Sequence, residues 1–148
     1  MAVTARGFSE LKASLRNVAE KASRGVRESL EQGAEDIKDL AVLYAPVDKE
    51  FLEKSIKVMS DIESNRRKAF FVYVDEELPA DGNTKVGDYA TIMHERYNDF
   101  EPGKKTKDKR RDNPGVNIGE KYLERALEDL KDEVENAAQA RARQGIGH

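Results

Sequence analysis

The segment LYAPVDKEFLEKSIKV, residues 43–58, constrains the fold of this chain more than any other. Pro46 ends the helical pattern before it, because a proline ring pushes the preceding residue out of the helical region. Asp48 follows at a position suited to the N-cap of a short helix. Val47 and Leu52 have the spacing of a hydrophobic staple across that cap. The segment therefore predicts a rigid structural joint, at which a helix stops and the chain restarts at a fixed angle.

Upstream of this joint, a single apolar stripe keeps a helical phase. Its positions follow one another every three or four residues: Leu11, Leu15, Val18, Ala22, Val26, Leu30, Gly33, Ile37, Leu40 and Tyr44. The pattern predicts one long helix over residues 8–44, although each internal glycine costs about 1 kcal/mol relative to alanine. At about 1.5 Å per residue this helix would be roughly 50 Å long. A domain this small could not cover it, so we expect part of it to be buried against identical copies.

Downstream of the joint, the apolar pattern changes to the period of two that is typical of strands. A short helix and a hairpin are predicted over residues 49–74, with a turn at Ser64-Asn65-Arg66. The second strand carries apolar side chains on both faces, which favours a central position in an antiparallel sheet. One face of that strand holds Phe70, Val72 and Val74, and the other holds Phe71 and Tyr73.

Two further helices complete the predicted fold. Helical spacing returns in a short element between Tyr89 and Tyr97, and again over residues 120–143. The last helix has one apolar face, formed by Tyr122, Leu123, Ala126, Leu127, Leu130, Val134, Ala137 and Ala138. The order of elements predicts a single α+β domain over residues 1–148, with the long N-terminal and C-terminal helices packed on a small antiparallel sheet.

Residues 99–119 show no periodicity and are predicted to form a long basic loop. Six cations lie close together within it: Lys104, Lys105, Lys107, Lys109, Arg110 and Arg111. Such a cluster can bind phosphates in a salt-dependent way, but the aromatic residues that stack on bases are absent from it. Two interpretations therefore stay open, contact with DNA and docking on an acidic partner surface.

Composition and motifs give no support for catalysis or a cofactor. The chain has no cysteine, which excludes disulfides and thiolate chemistry, and its net charge is −3. No apolar run approaches the roughly 20 residues of a membrane-spanning helix. His94-Glu95 begins a zinc-helix motif, but position 98 holds Asn98 where that motif needs a second histidine. We expect His94 and Glu95 to be a polar pair on the exposed side of their helix.

Three short motifs occur in an order that resembles a known family. Ala45-Pro46-Val47-Asp48 is followed by Ser55-Ile56, then Tyr89-Ala90 precedes His94-Glu95, and the last helix reads Lys121-Tyr122-Leu123-Glu124-Arg125-Ala126-Leu127. This arrangement is similar to the tail-completion proteins of long-tailed bacteriophages, also called head–tail joining or neck proteins. The similarity runs from about Phe8 to the end of the last helix. Lys49-Glu50 departs from the family's usual Thr-Gly, and the basic loop is unusual for it.

The resemblance implies a structural virion protein without catalysis, metal or cofactor. Such a subunit assembles in the host cytoplasm into a ring, usually a hexamer, in the neck of the particle. Its expected partners are further copies of itself, the head-side connector, and the tail terminator or tail tube, with genomic DNA passing through the channel. The alternatives are a tail terminator, a minor capsid protein, a small DNA-binding protein that uses the basic loop, or an enzyme centred on His94 and Glu95.

Overall fold

The computed structural model describes residues 2–4, 12–17, 24–47, 50–63 and 67–146. Within these residues, two strands come first along the chain, followed by two α-helices, two more strands and three α-helices. In order they are β1 (Ala2–Thr4), β2 (Lys12–Asn17), α1 (Arg24–Tyr44), α2 (Phe51–Ser55), β3 (Ile56–Glu63), β4 (Arg67–Val74), α3 (Ala90–Arg96), α4 (Lys104–Asp112) and α5 (Tyr122–Ile146).

In the described part of the chain, four antiparallel strands form one sheet in the order β1-β2-β4-β3. Val72 of β4 pairs with Val58 on one side and with Ala13 on the other, so β4 is central, as its two apolar faces predicted. Phe70, Val72 and Val74 all belong to the main core, and Phe71 on the opposite face is also buried. The predicted turn at 64–66 lies outside the described residues.

Helices α1 and α5 lie side by side and cover one face of the sheet. Ile37 of α1 and Leu127 of α5 are buried in the same core as the strand residues. Gly33 marks a close approach of the two helices, because a Cβ built on it would lie 2.4 Å from Cγ1 of Val134. The predicted α+β arrangement, with long N-terminal and C-terminal helices on a small antiparallel sheet, is confirmed.

The predicted start of the long helix is wrong. Helix α1 begins at Arg24, and residues 12–17 of the proposed 8–44 helix form strand β2 instead. A spacing of four residues, such as Leu11 to Leu15, returns to the same side in a helix and in a strand, so it does not distinguish them. Pairing with β4 decides the outcome, since it satisfies the open edge of the central strand. Residues 5–11 and 18–23 lie outside the described residues.

The expectation that the leading helix is too long to be covered within its own chain is also wrong. Helix α1 has 21 residues, or about 30 Å, and α5 has 25, so the second helix is long enough to cover the first. The apolar stripe of α1 is enclosed within its own chain, with relative exposures of 0–3% at Val26, Leu30, Ala34, Ile37 and Ala41.

The segment predicted as a long basic loop contains helix α4. Thr106, Lys109 and Arg110 are spaced i, i+3 and i+4, so their stems share the inward side of one helix. Thr106 is fully buried there. Hydrophobic periodicity missed this helix because its packed side is made of a hydroxyl and two long cations rather than apolar residues.

Candidate functional site

The joint between α1 and α2 is mostly buried. Helix α1 ends at Tyr44, and Ala45 still donates its N–H to the Ala41 carbonyl at 2.9 Å. Pro46, which is buried, cannot continue the ladder because it has no N–H. The stop predicted at Pro46 is therefore confirmed.

The predicted cap of the next helix is wrong in its position. Helix α2 begins at Phe51 with Glu50 as its N-cap, in the left-handed region at φ 67°, and no side chain caps it. Asp48 lies outside the described residues. Because the helix starts later, Val47 and Leu52 no longer occupy the positions of a staple. Leu52 is fully buried in the core, and Val47 makes a different contact.

Thr106 of α4 fastens Val47 in place. The Val47 N–H donates to Thr106 Oγ1 at 3.0 Å, and the Thr106 hydroxyl donates to the Val47 carbonyl at 3.2 Å. The Tyr97 hydroxyl also donates to Thr106 Oγ1, at 3.0 Å. Thr106 and Tyr97 are both buried, so these bonds are protected from water. The basic segment and the joint, which no sequence pattern connects, are therefore one structural unit.

Lys109 caps the end of α1 from the same side. Its Nζ donates to the carbonyls of Val42 at 2.6 Å and Ala45 at 2.7 Å, and it pairs with Glu53 Oε2 at 2.9 Å. The last carbonyls of a helix lack intrahelical partners and carry partial negative charge, which an ammonium group satisfies. Only 12% of the Lys109 side chain is exposed. Lys109 therefore joins α1, α4 and α2, and we name it, with Thr106, the latch.

Arg110 faces inward as well. Its Nε and Nη2 both donate to the carbonyl of Ile118, at 3.1 and 2.7 Å, and this closes the loop between α4 and α5. Gly119 then donates its N–H to the Tyr44 carbonyl at 2.9 Å. Two of the six predicted contact residues, Lys109 and Arg110, are thus used within the chain.

The other four cations face solvent. Arg111 pairs with Asp108 at 3.3 Å and with Asp112 at 3.4 Å on its own helix. Lys104, Lys105 and Lys107 are exposed and have no ion pair within the described part of the chain. These three lysines form the outer basic face of α4, which is the part of the predicted cluster that is free to contact a partner.

His94 is buried, and the expectation that it lies on the exposed side of its helix is wrong. Only 1% of it is exposed, and its ring meets the Tyr122 ring edge to face at 4.7 Å. Nδ1 lies 3.0 Å from Glu95 Oε1. Since a carboxylate only accepts hydrogen bonds, the neutral ring donates from Nδ1. Nε2 is then a buried acceptor, and no described residue donates to it.

Lys121 connects this pair to the start of α5. Its backbone is in the left-handed region at φ 57°, and its N–H donates to the His94 carbonyl at 2.6 Å. Its ammonium group binds the Glu95 carboxylate. Burial opposes ionisation of Glu95, but hydrogen bonds from Lys121 and His94 outweigh it and lower the pKa of Glu95. Burial lowers the pKa of His94, and the hydrogen bond with Glu95 only partly offsets that effect.

A groove between α1 and α5 is a second feature that sequence reasoning missed. It encloses about 560 Å³. Gly33, Leu130, Val134, Ala137 and Ala140 form its apolar floor. Glu28, Asp36, Glu133 and Arg141 are charged residues at its rim. Gly33 could have indicated this region from the sequence, because a glycine inside a helix lowers helix stability and often serves close packing.

No group of three or more histidine, aspartate or glutamate side chains in the described ranges is placed to hold a metal ion. Among the helices that the structure describes, none combines the length and the apolar character needed to cross a bilayer.

Comparison with protein families gives a match. The family described as "Bacteriophage HK97-gp10, putative tail-component" matches residues 9–90, more than half of the chain. The matched region includes the joint and the central strand. No curated protein matches significantly, and no solved structure does either.

Proposed function

We propose that this chain, which belongs to the HK97-gp10-like family of bacteriophage tail components, forms a ring in the neck of the particle and joins the DNA-filled head to the tail. The observation that carries the proposal is the family match over residues 9–90, since it makes the protein a phage tail component. The position in the neck, the ring and its size of six subunits are the parts that we propose.

The contacts among the three motifs support a structural role. Ala45 and Val47, in the first motif, are held by the latch on α4. His94 and Glu95, in the second, bind Lys121 at the start of the third. These residues therefore fix the angles between helices rather than form an open reaction site. Fixed angles matter in a ring, because a small error in each subunit accumulates until the circle cannot close.

The proposed partners are further copies of the chain, the head-side connector, and the tail terminator or tail tube. The proposal assigns no catalysis and no cofactor to the chain. DNA binding is a second candidate, and the outer basic face of α4 favours it because Lys104, Lys105 and Lys107 have no ion pair within the described residues. A gel shift across a salt series tests that candidate with these three lysines replaced by glutamine.

Blocking translation of this gene during infection tests the neck assignment. We expect DNA-filled heads and complete tails of normal length that do not join, as seen by electron microscopy, and joined particles when the wild-type gene is supplied in trans. An antibody to the chain should label the neck of normal particles. Tails of irregular length would point to a tail terminator instead, and defective heads to a minor capsid protein. Infectious joined particles without the chain would refute both the neck position and the joining role.

A further inference from the structure

We propose that the α1–α5 groove of one copy binds the segment 100–107 of the next copy, that is, Phe100 and the outer basic face of α4. The inference rests on the proposed function, because it names the surfaces through which the ring would assemble. Three observations carry it: the charge of the groove, the chemistry of the segment, and the positions of both on the molecule.

The groove has an excess of negative charge at its rim. Asp36 and Glu133 are exposed and have no basic partner within the described chain, and Asp36 accepts only a hydrogen bond from Gln32. Arg141, the one cation at the rim among the residues that the structure describes, is engaged with Glu28 at 3.3 Å. A ligand that suits this groove therefore has side chains with cationic ends and apolar stems.

The segment 100–107 has that chemistry. Lys104, Lys105 and Lys107 are exposed cations without partners among the described residues, and 51% of Phe100 is exposed. Lysine stems can lie along an apolar floor while their ammonium groups reach carboxylates at its edge. An exposed aromatic side chain beside them is the kind of residue that anchors an interface. DNA would use the lysines but would leave both Phe100 and the acidic groove without a role.

The two surfaces lie too far apart on one copy for its own segment 100–107 to bind its own groove. Lys109 holds α4 against the last turn of α1, at Val42 and Ala45. The groove is centred near Gly33, and 11 residues separate Gly33 from the end of α1 at Tyr44, or about 16 Å along the helix. The contact must therefore form between copies. Two different surfaces on one subunit give a head-to-tail contact, which generates a ring when the rotation closes.

Charge reversal on each surface tests the contact. One variant carries Lys104→Glu and Lys105→Glu, and the other carries Asp36→Lys and Glu133→Lys. Each alone should need about tenfold or more higher concentration for half-assembly in sedimentation velocity, because like charges then face each other. An equal mixture of the two should assemble as the wild type does, since every contact in an alternating ring again joins opposite charges. Wild-type assembly by each separate variant would overturn the inference.

The matched control reverses charges on the same two helices, α1 and α5, at positions outside the groove. Glu31 and Glu135 are exposed on α1 and α5 and do not line the groove. The variant with Glu31→Lys and Glu135→Lys should assemble like the wild type, although its net charge changes as much as that of the groove variant. Equal loss of assembly in both would show a general charge effect and would overturn the inference. Circular dichroism of all variants checks that the fold is kept.

Disulfide trapping gives an independent readout, because the chain contains no cysteine of its own. In a variant with Lys105→Cys and Ala140→Cys, mild oxidation should give a ladder of covalent oligomers that ends at the size of the ring. The control with Asn83→Cys and Ala140→Cys, whose first site is on an exposed turn, should give no ladder. Two results would contradict the proposed contact. One is a ladder of equal length in the test variant and in the control, and the other is no ladder in either variant although the wild type assembles.

The outcomes separate this inference from the function on which it rests. A wild-type chain that assembles and labels the neck, with all groove and α4 variants unchanged, overturns only the contact. Loss of DNA binding by the Lys104 and Lys105 variant with assembly intact would assign α4 to nucleic acid and also overturn the contact. A wild-type chain that stays monomeric at every concentration and labels no neck overturns the ring and the contact together.

Discussion

Replacing Lys109 by methionine isolates the latch from the rest of the basic cluster. Methionine keeps most of the stem and removes the ammonium group. The carbonyls of Val42 and Ala45 then lose their donor, and Glu53 loses its partner at 2.9 Å. The exposed Lys107, two positions earlier on the same helix, provides the control Lys107→Met, which removes the same charge without any of these contacts.

The expected loss follows from the number and burial of these bonds. A hydrogen bond to a charged group contributes about 1.5–3 kcal/mol, and leaving a buried group unsatisfied costs a similar amount. Water can reach part of the site, since 12% of the Lys109 and 21% of the Glu53 side chain is exposed. We therefore expect Lys109→Met to lower the free energy of unfolding by about 3 kcal/mol in total. For a chain of this length that corresponds to a fall in Tm of about 6–12 °C.

Urea unfolding followed by circular dichroism measures this difference directly. Lys107→Met should change the free energy of unfolding by no more than about 0.5 kcal/mol. The double variant with Glu53→Gln should lose less than the sum of the single losses, because both remove one ion pair. If Lys109→Met proves as stable as Lys107→Met, or if the cycle with Glu53 shows no coupling, the latch does not hold the joint.

Three further predictions concern other parts of the fold. Gly33→Ala should destabilise the wild type, by about 1–3 kcal/mol in thermal melts, because its Cβ would lie 2.4 Å from Val134 Cγ1. In a Val134→Ala background the same change should cost less, because both Cγ atoms are then absent and the nearest remaining atom of that side chain is its Cβ, at 3.1 Å. The pKa of His94 is lowered by burial, so the unfolded chain binds the proton more tightly, and the free energy of unfolding should fall as the pH drops below about 6.5. Denaturation at a series of pH values measures this fall. It should be smaller in His94→Gln than in the wild type, and in His148→Gln it should equal that of the wild type. Pro46→Ala should reduce the yield of rings in sedimentation more than it lowers Tm, and rings of normal yield would contradict the role of the joint.

The sequence predicted the elements whose packing is apolar. The central strand followed from alternating residues on both faces at Phe70–Val74, and α5 followed from its stripe from Tyr122 to Ala138. Of the residues predicted for that stripe, Ala137 is exposed in the groove instead, because the stripe drifts around a straight helix. Apolar burial dominates folding and has a fixed period in each element, so these features can be read without a structure.

Elements held by polar contacts could not be predicted in the same way. Strand β2 depends on pairing with β4, a partner more than fifty residues away, and no local pattern encodes that pairing. Helix α4 depends on Thr106 and Lys109 reaching groups near residues 42–47 and 53. His94 looked like a surface residue because polar side chains are mostly exposed. Its burial depends on the edge contact with Tyr122 and the hydrogen bond with Glu95.

The division of roles within α4 decides how this surface must be tested. A variant that neutralises the whole basic cluster would remove the latch along with the outer basic face, so a loss of assembly or of DNA binding in it could come from a loosened joint. Lys104, Lys105 and Lys107 can be changed without touching the bonds of Lys109 or Arg110. The same type of residue thus serves folding on one side of the helix and is free for a partner on the other. Charge alone cannot separate the two roles, but the side of the helix on which each cation lies does.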